Sequence, residues 1–371
     1  MRTKREANQE TFAAARELKS GSMVQYQLKL CMNKAQEAEC SRWLYHLAGV
    51  WNWAVRKIEL NAKDKIYFSK VEFRNLLAGH SQKLGIPSHV LQGILCTVFD
   101  AWQRCFQKRA GKPWLKGVRN RLNSIPFPDP IRSPRGNYVS VLGIGRVRFH
   151  KMLLPQGRIK CARMVKRASG WHLCLFIEAE AKKIERIGTG VIGIDPGFHN
   201  LLTTSAGEII AHPREFERAE GRLAQAQRGW DKKLAARMQE RIGNQRKDRN
   251  HKLSRRLIAE NLAIYFSKDN HKGIANRFGK SVASSGHAQL RRMLAYKSPA
   301  SGTRYVEVDA KFSTMTCSVC GALSGPRGWG GLEVRHWTCV ECASSHHRDI
   351  NAARNTLLAG AGSVLEGHVQ A

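Results

Sequence analysis

The chain has 371 residues and carries 62 Lys and Arg against 29 Asp and Glu, a formal net charge of +33. A 42% share of hydrophobic residues excludes a disordered chain and is enough for real cores, and the length suits two or three domains. A charge this one-sided, with pI ≈ 10.3, points to polyanionic partners. Nucleic acid leads among them, because basic side chains release counterions from phosphates.

The opening MRTKREANQETFAAARELK is polar and amphipathic and lacks the apolar core of a secretory leader. No stretch approaches the roughly 18 apolar residues that span a bilayer. No membrane partner is therefore expected, and a cytoplasmic, nucleoid-associated location is. Residues 1–22 read as a helical arm. Residues 23–32, MVQYQLKLCM, alternate as a strand. Residues 33–118 are helical in pattern. Leu44, Leu47, Trp51 and Trp53 suggest one apolar face, and Val90, Ile94, Val98, Phe99 and Trp102 another. Ser88 after Pro87 is a helix start. Trp43, Trp51, Trp53, Trp102 and Phe106 stand among Lys and Arg. They read as core, with base stacking as the alternative. Residues 119–183 are broken by Pro and Gly, then alternate in CARMVKR and WHLCLFIEAE. They predict a small barrel or sandwich that strand 23–32 could join, with the helices inserted into it. Cys31, Cys40, Cys96, Cys105, Cys161 and Cys174 are scattered and read as small buried hydrophobes.

The character changes near Gly188. GTGVIGIDPGFHNLLTTSAGEII reads as strand, turn, strand, turn, strand. His212 to Arg256 is a long helical stretch with 14 Lys and Arg against six acids. Its side chains Arg228, Lys232, Lys233, Arg237, Arg246, Lys247, Arg249 and Lys252 are candidate phosphate ligands, with a merely solvated face as the alternative. LAIYF (262–266) and RYVEVDA (304–310) are further strands, and DINAARNTLLA a last helix. A carboxylate ending the first strand and another on a late helix fit an RNase H-like α/β layout over 184–316 and 343–359.

Cys317-x2-Cys320 and Cys339-x2-Cys342 are 18 residues apart, a four-thiolate zinc spacing. All four positions are filled by protein, so a structural Zn2+ is expected within 317–342, with redox pairing as the alternative. A tail, 360–371, would follow. Asp195 ends VIGIDPG and is either a metal ligand or a turn residue before Pro196. Asp349 opens a helix and is either a ligand or a carboxylate favoured by the helix dipole.

GIDPGFHNLLTTSAGE, HKLSRRLIAENLAIYFSKDNHKGIAN, the LAYK ending at Lys297, TCSVCG and HRDINAARN together resemble TnpB, the RNA-guided nucleases of insertion sequences related to miniature type V CRISPR effectors. The resemblance implies a multidomain α+β protein. Its parts would be a β-barrel wedge domain, an inserted helical recognition domain, and a RuvC-like domain carrying a zinc ribbon. It also implies a guide RNA encoded near the gene and a double-stranded target bearing a short adjacent motif. Asp195 matches the first catalytic Asp and Asp349 the third. At the second motif the frame puts Ser267 where the family has Glu, and Lys268 where it has Asp. Ala310 stands where some relatives relocate that Glu. Ser284 and His287 replace the usual Asp and Trp, Ser313-Thr314-Met315 the usual Thr-Ser-Gln, and His347 the usual Asp. A hydroxyl cannot supply the charge with which a carboxylate grips a divalent ion. The expected protein is thus an RNA-guided DNA-binding protein with a degraded nuclease site, repressing transcription by occupancy. The alternative is an active, Mg2+-dependent endonuclease using Asp195, Asp349 and a substitute acid (Glu260, Glu307 or Asp309). A strand-transfer transposase and a nonspecific basic zinc protein are weaker readings.

Overall fold

A computed structural model describes residues 22–150, 152–154, 156–179, 183–268, 279–309, 311–327 and 330–367. The expected arm lies outside them except for Ser22, as do Ala310 and residues 269–278, which hold the landmarks Asn270, Lys272 and Gly273. The chain divides into two compact units, 1–181 and 182–371.

In the first unit β1 (Ser22–Cys31) alternates, with Leu28 and Leu30 buried and Lys29 exposed. Two residues later Asn33 starts a helix. Its side chain accepts from the Gln36 amide at 2.8 Å, and Gln36 returns the bond at 3.2 Å. The resulting α1 (Lys34–Lys63) and the later α2 (Ser88–Phe106) are the two long helices of an insertion. The chain then makes β2 (Ser124–Phe127), β3 (Tyr138–Val141), β4 (Gly145–Phe149), β5 (Arg158–Arg167) and β6 (Gly170–Ala179). These form one antiparallel sheet in the order β2-β5-β6-β1-β4-β3. β1 thus sits inside the sheet, between β6 and β4. Helices and sheet share one hydrophobic core that includes Leu28, Trp43, Leu47, Trp51, Leu95, Trp102, Phe127 and Leu173. Trp53 departs from the expected apolar face. It is 41% exposed, because two residues beyond Trp51 lies about 200° around a helix.

In the second unit β7 (Gly190–Pro196), β8 (Asn200–Thr204) and β9 (Ile209–Ala211) form an antiparallel meander. The basic stretch follows as two helices, α3 (Glu215–Arg228) and α4 (Lys232–Glu260). They are parted where Trp230 takes a left-handed φ of 57° and Asp231 caps α4 by accepting from the Leu234 amide. The long helical stretch expected from His212 to Arg256 is thus two helices, divided at the Gly-Trp-Asp sequence. Then come β10 (Asn261–Lys268), α5 (His287–Lys297), β11 (Arg304–Asp309), the short hairpin β12 (His336–Thr338) and β13 (Ser345–His347), and α6 (Arg348–Gly367). The five-stranded sheet has the order β11-β10-β7-β8-β9, with β7, β10 and β11 parallel. Ile192, Ile194, Ile264 and Phe266 pack with Leu253, Leu257, Ile258, Leu290 and Leu294 of α4 and α5. The other face carries α6. Gly193 has no room for a side chain, because a Cβ there would enter the Ala353 carbonyl and the Leu357 amide. The hairpin around the second Cys pair runs from His336 to His347, and α6 runs through Gly367. Among the described residues no helix is long and apolar enough to cross a membrane.

Candidate active site and metal centre

Asp195 and Ser267 end neighbouring parallel strands. Their preceding residues, Ile194 and Phe266, are paired in the ladder. The next step therefore places Asp195 and Ser267 side by side, on the face shared with Gly193 and Tyr265 and covered by α6. Asp349 lies in the first turn of α6. Strand ends and helix start thus bring the three sequence-predicted positions to one side of the sheet. Ser267 is fully buried, and its hydroxyl has no hydrogen-bond partner. Asp349 is paired with Arg335, whose Nη1 lies 3.1 and 3.2 Å from the two carboxylate oxygens.

The three candidate substitute acids are elsewhere. Glu307 is paired with Phe266 in the ladder, so it faces away from Ser267. It accepts from Tyr305 Oη at 3.2 Å and pairs with Arg291 at 3.4 Å. Asp309 shares Glu307's side of the strand and accepts from the Lys311 amide. Glu260 ends α4 at the opposite end of β10, roughly 20 Å from Ser267 at strand rise.

The second centre is the cysteine cluster. The four Sγ atoms of Cys317, Cys320, Cys339 and Cys342 lie within 4.8 Å of one another. Cys317–Cys342 is 3.7 Å and Cys320–Cys339 is 3.6 Å. A thiolate tetrahedron around an ion at about 2.3 Å has edges of about 3.8 Å, so the donor set fits. Two matched turns build it. Gly321 N donates to Cys317 O at 2.9 Å and Ala343 N to Cys339 O at 3.0 Å. Cys317 N donates to Ala322 O and Cys339 N to Ser344 O at 2.8 and 2.9 Å. The residue after each pair is left-handed, Gly321 at φ 80° and Ala343 at φ 54°. The Ser324 hydroxyl donates to Cys339 Sγ at 3.0 Å and helps hold that thiol down to about 6. The Ser344 hydroxyl, first among several groups, lowers Cys342 in the same sense. His346 Nε2 stands 3.1 Å from Cys317 Sγ, a hydrogen bond to sulfur rather than a fifth ligand.

Two residues that sequence reasoning missed tie the centres together. Asn351 Nδ2 donates to Thr316 O at 2.7 Å, and its Oδ1 accepts from the Ser318 amide at 2.9 Å. Asn355 Nδ2 reaches Ser313 O and Thr316 O at 2.7 and 2.6 Å. The four-residue spacing in DINAARN, which puts both amides on one helix face, was the available signal.

The expected phosphate-binding set is split. Arg228, Lys232, Lys233, Arg237, Lys247 and Lys252 are exposed, and Lys252 pairs with Asp248 at 2.8 Å. Arg249 does not belong to that surface. It is mostly buried, makes a 2.9 Å ion pair with Glu215 and donates to Ser285 O, and burial lowers its pKa. Arg246 is half-buried and donates from Nη1 to Ala283 O.

Residues 287–356 match the family described as Cas12f1-like, TNB domain. Over 295 residues the chain is 34% identical to a Streptomyces pristinaespiralis protein named "Putative RNA-guided DNA endonuclease", covering 74% of this chain and 72% of that one. It is 23% identical over 304 residues to the "Putative RNA-guided DNA endonuclease InsQ" of Escherichia coli strain K12, at 74% and 75% coverage. The fold is similar to a chain in a cryo-EM structure of a Cas12f1–sgRNA–target DNA complex. The TM-score there is 0.55, at 14% identity, over 87% of this chain and 82% of that one.

Proposed function

The chain belongs to the TnpB family, and from that membership we propose that it is an RNA-guided DNA-binding protein whose nuclease pocket no longer cuts. The first unit is read as the wedge barrel with its inserted recognition helices, and the five-stranded sheet as the RuvC-like domain. The cysteine cluster is the zinc ribbon, its Zn2+ structural because four thiolates leave no open position. The partners are a guide RNA encoded near the gene and a duplex target with a short adjacent motif. Bound at a promoter, the complex represses transcription without severing DNA.

One observation carries this reading: the position beside Asp195 is a buried, uncharged, unpartnered serine. In an intact pocket Mg2+ would activate water and stabilise the leaving oxygen. Here Asp195 and Asp349 are left without the middle carboxylate, and Asp349 is held by Arg335. The faces and ends occupied by Glu260, Glu307 and Asp309 argue against a substitute.

The test uses protein carrying its own co-purified RNA and a plasmid matching that RNA. Tight, guide-dependent binding with intact strands in magnesium buffer is expected, unchanged in Asp195→Ala. Magnesium-dependent cutting by the parent, abolished by Asp195→Ala, would establish the active endonuclease instead.

A further inference from the structure

We propose that the helical insertion of the first unit carries a slot for a single unpaired nucleobase. This deepens the nucleic-acid reading above and rests on it. A small pocket opens to solvent near the C-terminal ends of α1 and α2, walled chiefly by Ile58, Ile66, Tyr67, Phe99, Trp102 and Phe106. Its rim is uncovered: Tyr67 is 72% exposed and Phe106 46%. Trp102 and Phe106 stack at 5.3 Å with an interplanar angle of 28°. Trp102 itself is only 6% exposed. An occupant of so aromatic a wall should be flat, with apolar faces, and a nucleobase has both.

The rim chooses a nucleic acid over a peptide. Both helices end in the same turn, with lysine where glycine is usual. Lys65 has φ 56°, with Lys65 N bonded to Ala62 O and Ile66 N to Asn61 O. Lys108 also has φ 56°, with Lys108 N bonded to Cys105 O and Arg109 N to Arg104 O. A strained lysine at both ends suggests that its charge is wanted there. Lys63, Lys65, Lys108 and Arg109 are exposed and adjoin the wall residues in sequence, suited to the phosphates on either side of a base. The base could come from the guide RNA or from a displaced DNA strand; the chemistry is the same.

The experiment irradiates the full chain with two single-stranded probes, oligo(dT) carrying one 5-bromouracil and oligo(U) carrying one 4-thiouracil. Adducts at Tyr67, Trp102 or Phe106 are expected, and the stronger probe assigns the source. Tyr67→Ala and Phe106→Ala, both at exposed positions, should each weaken oligonucleotide binding about tenfold at fixed salt without changing its salt dependence. Adducts confined to other residues, or unchanged binding by the Tyr67 and Phe106 variants, would overturn the slot. So would a dimer that these variants split, which would make it a self-association face. No guide pairing is involved: if guided plasmid binding fails while the adducts persist, the guided reading falls and the slot stands.

Discussion

Ala343 holds a left-handed backbone that its counterpart Gly321 holds without steric cost. Ala343→Gly should therefore stabilise the cysteine hairpin by about 1 kcal/mol, read as a higher chelator concentration at the midpoint of metal-linked unfolding. Cys339→Ser should lose the metal outright, measured as metal per chain by mass spectrometry, and lower the Tm. The cysteine centre was legible in the sequence because ligand chemistry fixes residue type and spacing together. Arg249 was not, since its partner Glu215 lies 34 residues away on another helix. Arg249→Ala should cost about 3–5 kcal/mol in denaturant unfolding, because it leaves the Glu215 carboxylate buried and unpaired.

Elements carry the next set of consequences. α6 lies on β7 only because Gly193 is bare, so Gly193→Ala should destabilise the second unit by about 1–3 kcal/mol, read in the unfolding midpoint. Asp349 would shift with the helix. Lys297 of α5 donates to His251 O and to Ser254 Oγ of α4, at 3.1 and 2.6 Å, and burial lowers its pKa to about 8. Between pH 8 and the unfolded value near 10.4 the unfolded chain binds the extra proton, so stability should rise with pH across that window. Below pH 8 the two states are protonated alike and this contribution is flat. Lys297→Met should remove the rise in a pH series of urea titrations. The strands themselves were readable from their alternation and apolar runs. The side of β11 on which Glu307 falls was not. The alternation in VEVD puts Glu307 and Asp309 on one side of the strand, but which face of the sheet that is depends on the pairing Phe266↔Glu307 with β10, a long-range register that the strand's own sequence does not carry.

At the scale of the whole chain, a net charge of +33 makes binding to any nucleic acid strongly salt-dependent. Replacing Lys232, Lys233 and Arg237 by Ala should reduce the slope of log K against log salt by about one for each phosphate that is no longer neutralised. Folding order is also fixed by topology. β1 pairs with β6 from Ser22↔Ala179 to Lys29↔His172, and with β4 at Leu30↔Phe149. A nascent strand emerging from the ribosome must wait through the synthesis of well over a hundred residues before both of its neighbours exist. At roughly 5–20 residues per second that delay is on the order of ten seconds. The helical insertion is translated in the interval and can collapse first, so β1 is among the last strands of its sheet to find its place.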